Sequence, residues 1–379
     1  MTTAAMTLMM VNSFTSTSSK KKERNIMSFI NLHFIQSIPA SLMNRDDTDS
    51  AKSITVGNVR RDRISSQSWK KAMRDTLRQQ SIENGVWGVR TKRLPREVVD
   101  ILVERGRDRD IATAKTIRAF QASGISCHEE KPQTNVQLNV AETAKTVIAD
   151  LVDAHFDEIQ DNVPDEVKTN LIKSFDPDRV VDIALFGRLI TELKRAPRID
   201  GAVGVSHPFG VTSSTVESDY WTSTDDIQND EDTASGNLGV SDLTAPVFYR
   251  HIFVDTTQLE HNLAGTDIDI NDVLHKLINV AITASPTGKQ NSTSAHTLPS
   301  VVIAERSALN ISAASAFTTP IKSDTVLHDA IDKLTRAVER YSIDFTALSL
   351  SDEADDVLDT ATHIDAVNSI DELIKRLVN

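Results

Sequence analysis

Apolar positions along the chain follow three spacings, and each predicts a kind of element. Ser28–Gln36 (SFINLHFIQ) is short, β-branched and aromatic, which predicts a strand. A polar, turn-rich loop runs from Ser37 to about Arg63. In Ser65–Gln80 the residues Trp69, Ala72, Met73, Thr76 and Leu77 recur at helical spacing and form one apolar face. Lys70, Lys71, Arg74 and Arg78 make the opposite side basic, and Ser65 or Ser66 supplies the N-cap. From about Ser81 to Phe175 the pattern is helical. Its stripes are Val98, Val99, Leu102 and Val103, then Ile111, Ala114, Ile117 and Phe120, then a long one from Val140 to Ile159. Asp176-Pro177-Asp178 ends this block.

Two further apolar runs, Val180–Phe186 and Val247–Asp255, predict strands. Between them Gly201–Ala245 is rich in Gly, Ser, Thr and Asp, too long for an ordinary connection, and reads as a projecting arm. Helices are expected at Gln258–Ala264, Asn271–Ala284, Asp324–Tyr341 and Ile370–Val378, with a strand at Ser300–Ala304. With the insertions removed, the order is βαββαβ, an α+β, ferredoxin-like arrangement of the RNA-recognition type. The helical block interrupts it after the first helix, and the arm extends the central β–β connection.

Composition changes the picture in one respect. The 379 residues are 39% hydrophobic and 25% charged, enough for one large domain with insertions or for two domains. A net charge of -13 argues against a polyanion partner until its distribution is seen. Between Lys52 and Arg74 stand Lys52, Arg60, Arg61, Arg63, Lys70, Lys71 and Arg74 against the single acid Asp62, while acids gather in Glu217–Asp242 and at the C-terminus. One basic strip on an acidic body points to a localised polyanion site. Backbone amides at a helix start bind anions, and Ser65, Ser66 and Gln67 add donors there.

Other chemistries find little support. Cys127 is the sole cysteine, which excludes an intrachain disulfide and a thiolate zinc site, and it is expected to fill apolar space. No stretch approaches a membrane span. Residues 1–26 read as a disordered or mis-assigned leader, with Met27 a plausible start, and a cytoplasmic address is expected. His33, His207 and His251 read as ordinary strand or loop histidines, Trp69 as core, and no cofactor motif is present. Asp46-Asp47 is the one pair that suggests metal-dependent hydrolysis, yet adjacent residues rarely converge on one metal without further ligands. In the arm, Tyr220 and Trp221 stand in polar surroundings. Strand alternation sends them to opposite faces, where each either stacks on a base or packs across its own hairpin.

The segment carrying FINLH, NRDD, RRxRISSQSxK and KxAMR between Phe29 and Arg74 resembles the backbone subunit of type I-E CRISPR Cascade, the CasC family. A second block agrees in order: Val181–Leu185, Gly187-Arg188, Ile199–Ala202, Tyr220–Thr222, Asp225-Asp226 and Val247–Arg250. The resemblance covers roughly Phe29 to Gly265. It implies a hand: a palm over residues 27–62, 180–203 and 247–379, helical fingers over 63–179, and a β-hairpin thumb over 204–246. It implies a non-catalytic protein that binds crRNA, stacks with further copies of itself, joins other Cascade subunits and meets target DNA through the guide. Positions matching guide-contacting residues are Arg45, Lys52, Ser65, Gln67, Lys70, Lys71 and Arg74, with Leu189 where the family has a methionine and Tyr220-Trp221 as a thumb pair. Arg61 and Arg63 join them as members of the basic strip. A guide-dependent ribonuclease using Asp46 or Asp47, and a solitary RNA-recognition protein, are the competing expectations.

Overall fold

The structure is a computed structural model. It describes residues 28–128, 131–175, 179–188, 198–223, 237–341 and 343–378. Strands follow in chain order as β1 (Phe29–Ser37), β2 (Ser53–Val56), β3 (Val59–Asp62), β4 (Gly88–Thr91), β5 (Leu138–Ala141), β6 (Val203–Val205) and β7 (Phe209–Gly210). After them come β8 (Glu217–Ser223), β9 (Asn237–Leu243), β10 (Val247–Asp255), β11 (Val301–Ser307), β12 (Phe345–Ser349) and β13 (Ile364–Val367). The chain divides into two compact units. One contains residues up to 80 together with 204–256 and 274–379, and the other contains 81–203 and 257–273.

The first unit is built on a seven-stranded sheet in the order β13-β12-β11-β1-β10-β6, with β7 also on β10. Its heart, β11-β1-β10-β6, is the fourth–first–third–second arrangement of a ferredoxin-like domain, so the α+β, RNA-recognition-type fold stands. β1 pairs antiparallel with both β10 and β11, His33 lying opposite His251 on one side and Ile303 on the other. Because both faces of β1 are covered, seven consecutive residues from Ile30 to Gln36 are buried, the polar Asn31, His33 and Gln36 among them.

On one face lie Leu32, Phe34, Arg250 and Ile252. The helix Ser66–Leu77 packs there through Trp69, Met73 and Leu77, all buried as the helical spacing predicts. The other face, with Ile35, Tyr249, Val301, Ile303 and Ala347, is sealed by Phe317 of the 3-10 turn Ala313–Phe317. Ile331, Leu334 and Val338 of the helix Val326–Glu339 complete that seal.

Two expectations need correction. Val180–Phe186 is not a strand: Val181–Phe186 is a short helix, buried from Val181 to Leu185 and ended at Gly187 with φ 78°. A short continuous apolar run suits a wholly buried helix as well as a strand, and here the buried Asp182 carboxylate accepts from Gly88 N at 2.6 Å. The second strand of the repeat is instead the three-residue β6. Residues 53–62, expected as loop, form the β2–β3 hairpin.

The second unit encloses its own core around Val98, Leu102, Phe120, Ile148, Val152 and Leu171, from the helices Leu94–Glu104, Arg109–Ala122, Ala144–Ala154 and Asp165–Lys173. Cys127 fills apolar space there. The expected stripes shift: Ile111 and Val147 are half exposed, the first to 51%, and Val140 lies in β5 rather than a helix. Beyond β11 the chain adds β12 and, through the helix Asp352–Leu358, the parallel β13, an extension the sequence pattern left unassigned. No helix among the described residues is long and apolar enough to cross a membrane.

Candidate nucleic-acid interface

The basic strip is assembled by three segments of the sheet unit. Asp46 builds the first. Its Oδ1 accepts from Thr48 N at 2.9 Å, Thr48 Oγ1 at 2.7 Å and Ser50 N at 3.1 Å. The Thr48 hydroxyl and amide hold the carboxyl below its ordinary range. An aspartate with one carboxylate oxygen holding three donors of its own turn is a turn-former. Among the described residues no group of three or more His, Cys, Asp or Glu is arranged to hold a metal ion. Arg45, at the edge of this turn, bridges to Asp49 at 2.5 Å, both side chains exposed.

The loop is tied to the helix start by Asn44, whose Oδ1 accepts from Ser65 N at 2.8 Å and whose carbonyl accepts from Lys52 N at 3.1 Å. Ser65 is extended (φ -69°, ψ 141°) and its Oγ accepts from Ser68 N, a standard N-cap. His207 supplies the next contact, its Nδ1 accepting from Ser66 N at 3.0 Å with an Arg63 guanidinium nitrogen 3.2 Å away. Burial foremost, then Arg63, holds His207 below the ordinary imidazole range, which keeps it neutral and able to accept. Two of the early helix amides are therefore satisfied at home. The surface offers an anion chiefly the cations around the helix start and the exposed Gln67.

Those cations sit on one face of the helix. Gln67, Lys70, Lys71 and Arg74 follow at i, i+3, i+4 and i+7, opposite buried Trp69, Met73 and Leu77. Lys71 is exposed and pairs with Asp75 one turn on. Such a surface pair contributes little to stability and exchanges readily for a phosphate. Lys52 and Arg63 flank the helix start, joined by the bond from Arg63 N to Lys52 O at 2.9 Å.

Arg61 does not belong to this surface. It is fully buried, donating from Nη1 to the carbonyls of Gly210 and Thr212 and from Nη2 to those of Phe317 and Thr318. Period-two alternation on β3 turns it inward while Arg60 faces out, so the assignment of Arg61 to RNA binding is corrected to a buried clamp.

The aromatic pair lies on the two-stranded hairpin β8–β9, where Tyr220 faces Val240 and Trp221 faces Gly239. Alternation puts the rings on opposite faces, 62% and 46% exposed. Tyr220 shares its face with Val240 and Leu238, both 64% exposed. Trp221 lies across its partner strand, with the space above Gly239 filled so closely that an added Cβ would sit 2.5 Å from the ring. Leu189, and the acids Asp225, Asp226, Asp230, Glu231 and Asp232 of the arm, lie outside the described residues. The sequence reading missed His207 and Asn44 as organisers of the site. Only Asn44 had a signal, its place in the NRDD motif, whereas His207 is brought to Arg63 from 144 residues away.

Comparison with known proteins adds a family. A family model described as CT1975-like protein matches residues 30–376. A solved chain from a complex described as "CRISPR RNA-guided surveillance complex, pre-nicking" superposes with a TM-score of 0.82 at 31% identity, over 92% of this chain and 99% of that one. A second, from a "CRISPR RNA-guided surveillance complex", gives 0.71 at 25% identity with the same coverages. No match was found among curated proteins. With nearly its whole length aligned to the family model, the chain belongs to the CT1975-like family.

Proposed function

We propose that this chain is a non-catalytic backbone subunit of a CRISPR RNA-guided surveillance complex of the type I-E Cascade kind. It binds crRNA, repeats along it with further copies of itself, and presents it for pairing with target DNA alongside other Cascade subunits in the cytoplasm. The observation that carries this reading is the outward face of Lys70, Lys71 and Arg74 on a helix whose start is fixed by Ser65, Asn44 and His207. Cations on a rigid helix beside a basic loop grip a sugar-phosphate track and do not depend on base identity. In this reading the palm is residues 27–62, 180–203 and 247–379, the fingers 63–179 and the thumb 204–246, while the compact units divide instead near 80 and 203, with the helix Ser66–Leu77 in the sheet unit. Asp46 is spoken for by its turn, which favours binding over hydrolysis.

The test is co-expression with a CRISPR array and the neighbouring genes, followed by analysis of the co-purified RNA. The wild type should carry RNA of one defined length. Lys70→Ala/Lys71→Ala/Arg74→Ala should lose it for every guide alike, with the log–log salt slope reduced by ~0.7 per lost phosphate contact. Loss confined to certain guide sequences would count against the reading. So would magnesium-dependent cutting of complementary RNA that disappears in Asp47→Ala.

A further inference from the structure

A second basic groove lies on the sheet unit, far in sequence from the strip. About 770 Å³ of open space is bounded by the 3-10 turn Ala313–Phe317, the loop at Ile321-Lys322 and the outer face of the helix Val326–Glu339. Four cations line it: Lys322, Lys333, Arg336 and Arg340. The last three follow at i, i+3 and i+7 along the helix, one row with a rise of about 4.5–6 Å per step. Tyr341 stands at the end of the row, beside Arg340.

The two carboxylates in the groove are already engaged. Asp332 holds Arg336 Nε at 2.8 Å, and Asp329 accepts from Thr325 Oγ1 at 3.3 Å with His328 beside it. Lys333 rests on the Thr319 carbonyl at 3.2 Å. Among the described residues Lys322 and Arg340 have no carboxylate within ion-pairing distance. With Lys322 and Arg340 lacking a carboxylate partner among the described residues, beside the Asp332–Arg336 surface pair, the groove matches a repeating anion.

The groove is physically joined to the strip. The β2–β3 turn presses on Thr318 at Gly57, where an added Cβ would lie 1.9 Å from the Thr318 carbonyl oxygen. Arg61 clamps the same hairpin to the Phe317 and Thr318 carbonyls. The hairpin that carries Arg60, with Lys52 just before it, thus abuts the 3-10 turn that forms one wall of the groove.

We propose that this groove is a second phosphodiester-backbone site, taking single-stranded nucleic acid beyond the segment held at the Lys70–Arg74 helix. The inference rests on the nucleic-acid reading above, and its occupant is either a further stretch of guide or a DNA strand. The test uses the guide-loaded complex purified with Lys322→Gln/Arg336→Gln/Arg340→Gln, all three exposed positions. Binding of a labelled, non-complementary single-stranded DNA is titrated at several salt concentrations, and guide content is measured in parallel.

A DNA occupant gives unchanged guide content, affinity lower by about tenfold or more, and a salt slope smaller by about 2, three contacts at ~0.7 each. A guide occupant gives reduced guide content instead. Unchanged DNA binding with unchanged guide overturns the proposal. So does an altered number of copies at constant guide length and DNA affinity, which would make the groove a protein contact. If the Lys70/Lys71/Arg74 variant keeps its guide, the function proposed above fails, while the groove is still judged on its own titration.

Discussion

The Arg250 guanidinium lies 3.8 Å over the Trp69 ring and 4.0 Å over the Phe34 ring. Burial pushes the guanidinium down to about 9, and its Nη1 donates to the Ala281 carbonyl at 3.0 Å. Among the described residues its Nε and Nη2 have no hydrogen-bond acceptor, so the ring faces are their counterparts. A desolvated cation against two rings gains about 2 kcal/mol from each strong contact, which offsets part of the cost of burying it. The helix that carries the basic strip is therefore fastened to the sheet through its one tryptophan.

Trp69→Ala should destabilise the sheet unit by about 3–5 kcal/mol, since it opens a cavity and strips one face from a buried charge. Trp69→Phe keeps a ring face over Arg250 and should lose clearly less. Urea unfolding of both variants checks this, and equal losses would rule out the cation–ring contact as a contributor.

Arg61 and Arg63 are two residues apart yet should behave oppositely. Arg61→Gln removes a charged donor from four carbonyls, those of Gly210 and Phe317 buried, and should cost at least about 2 kcal/mol, with the melting temperature falling. Arg63→Gln should leave the melting temperature nearly unchanged and weaken RNA retention. Calorimetry with RNA co-purification separates the two, and an Arg61→Gln protein with wild-type stability would contradict the clamp.

Stability should pass through a maximum near neutral pH because of the buried cluster on the sealed sheet face. His33 Nδ1 meets the Tyr249 hydroxyl at 3.0 Å, its ring stacks on His251 at 4.9 Å, and its Nε2 lies 3.7 Å from Glu305. Burial lowers both imidazoles from 6.5 to about 3 and raises Glu305 from 4.5 to about 8. Between about 6.5 and 8 the folded state holds the Glu305 proton that the unfolded chain has released, so stability falls as pH rises. Below 6.5 the unfolded chain protonates two histidines that the folded state keeps neutral, so stability falls on acidification, with Glu305 offsetting one of them down to 4.5. Glu305→Gln should flatten the alkaline side and steepen the acid side between about 4.5 and 6.5, where the Glu305 offset is lost. Unfolding curves across pH 4–8.5 give the comparison, and an unaltered alkaline side would mean that Glu305 does not carry it.

Replacing residues 217–243 with a short Gly-Ser turn should leave a folded protein with cooperative unfolding. The flanks must stay, because Thr244 pairs with Ser41, and Gly210 and Thr212 accept from Arg61. Among its described residues the hairpin exposes Tyr220, Leu238 and Val240, and in the function proposed above a neighbouring copy covers them. Native mass spectrometry of the co-expressed complex should show no long RNA-bound arrays for this variant. Full arrays on full-length guide would remove the hairpin as the coupling element.

The sheet and the basic helix were legible because their signals are local. β1 and β10 read as dense apolar runs, and Trp69, Met73 and Leu77 repeat at helical spacing opposite Lys70 and Arg74. The run Val181–Phe186 misled because total burial erases periodicity, leaving strand and helix alike. β6 escaped because three residues carry no pattern. Arg61 was misplaced because composition counts charge without direction, and only the β3 pairing shows which arginine turns inward. His207 could not be seen at all, since its partners Arg63 and Ser66 lie in another part of the text.

The sealing of the second sheet face by Phe317, Ile331 and Leu334 has an informational consequence. A four-stranded RNA-recognition sheet usually discriminates by stacking bases on its open surface, and here that surface is spent on the protein's own core. Outward lie cations, a helix start and the exposed hairpin rings of Tyr220 and Trp221, groups that register the pitch of a strand and stack without regard to its letters. A subunit of this design contributes no vocabulary of its own. Under the function proposed above, discrimination resides in the strand the subunit carries, and exchanging that strand retargets the assembly without altering a single residue.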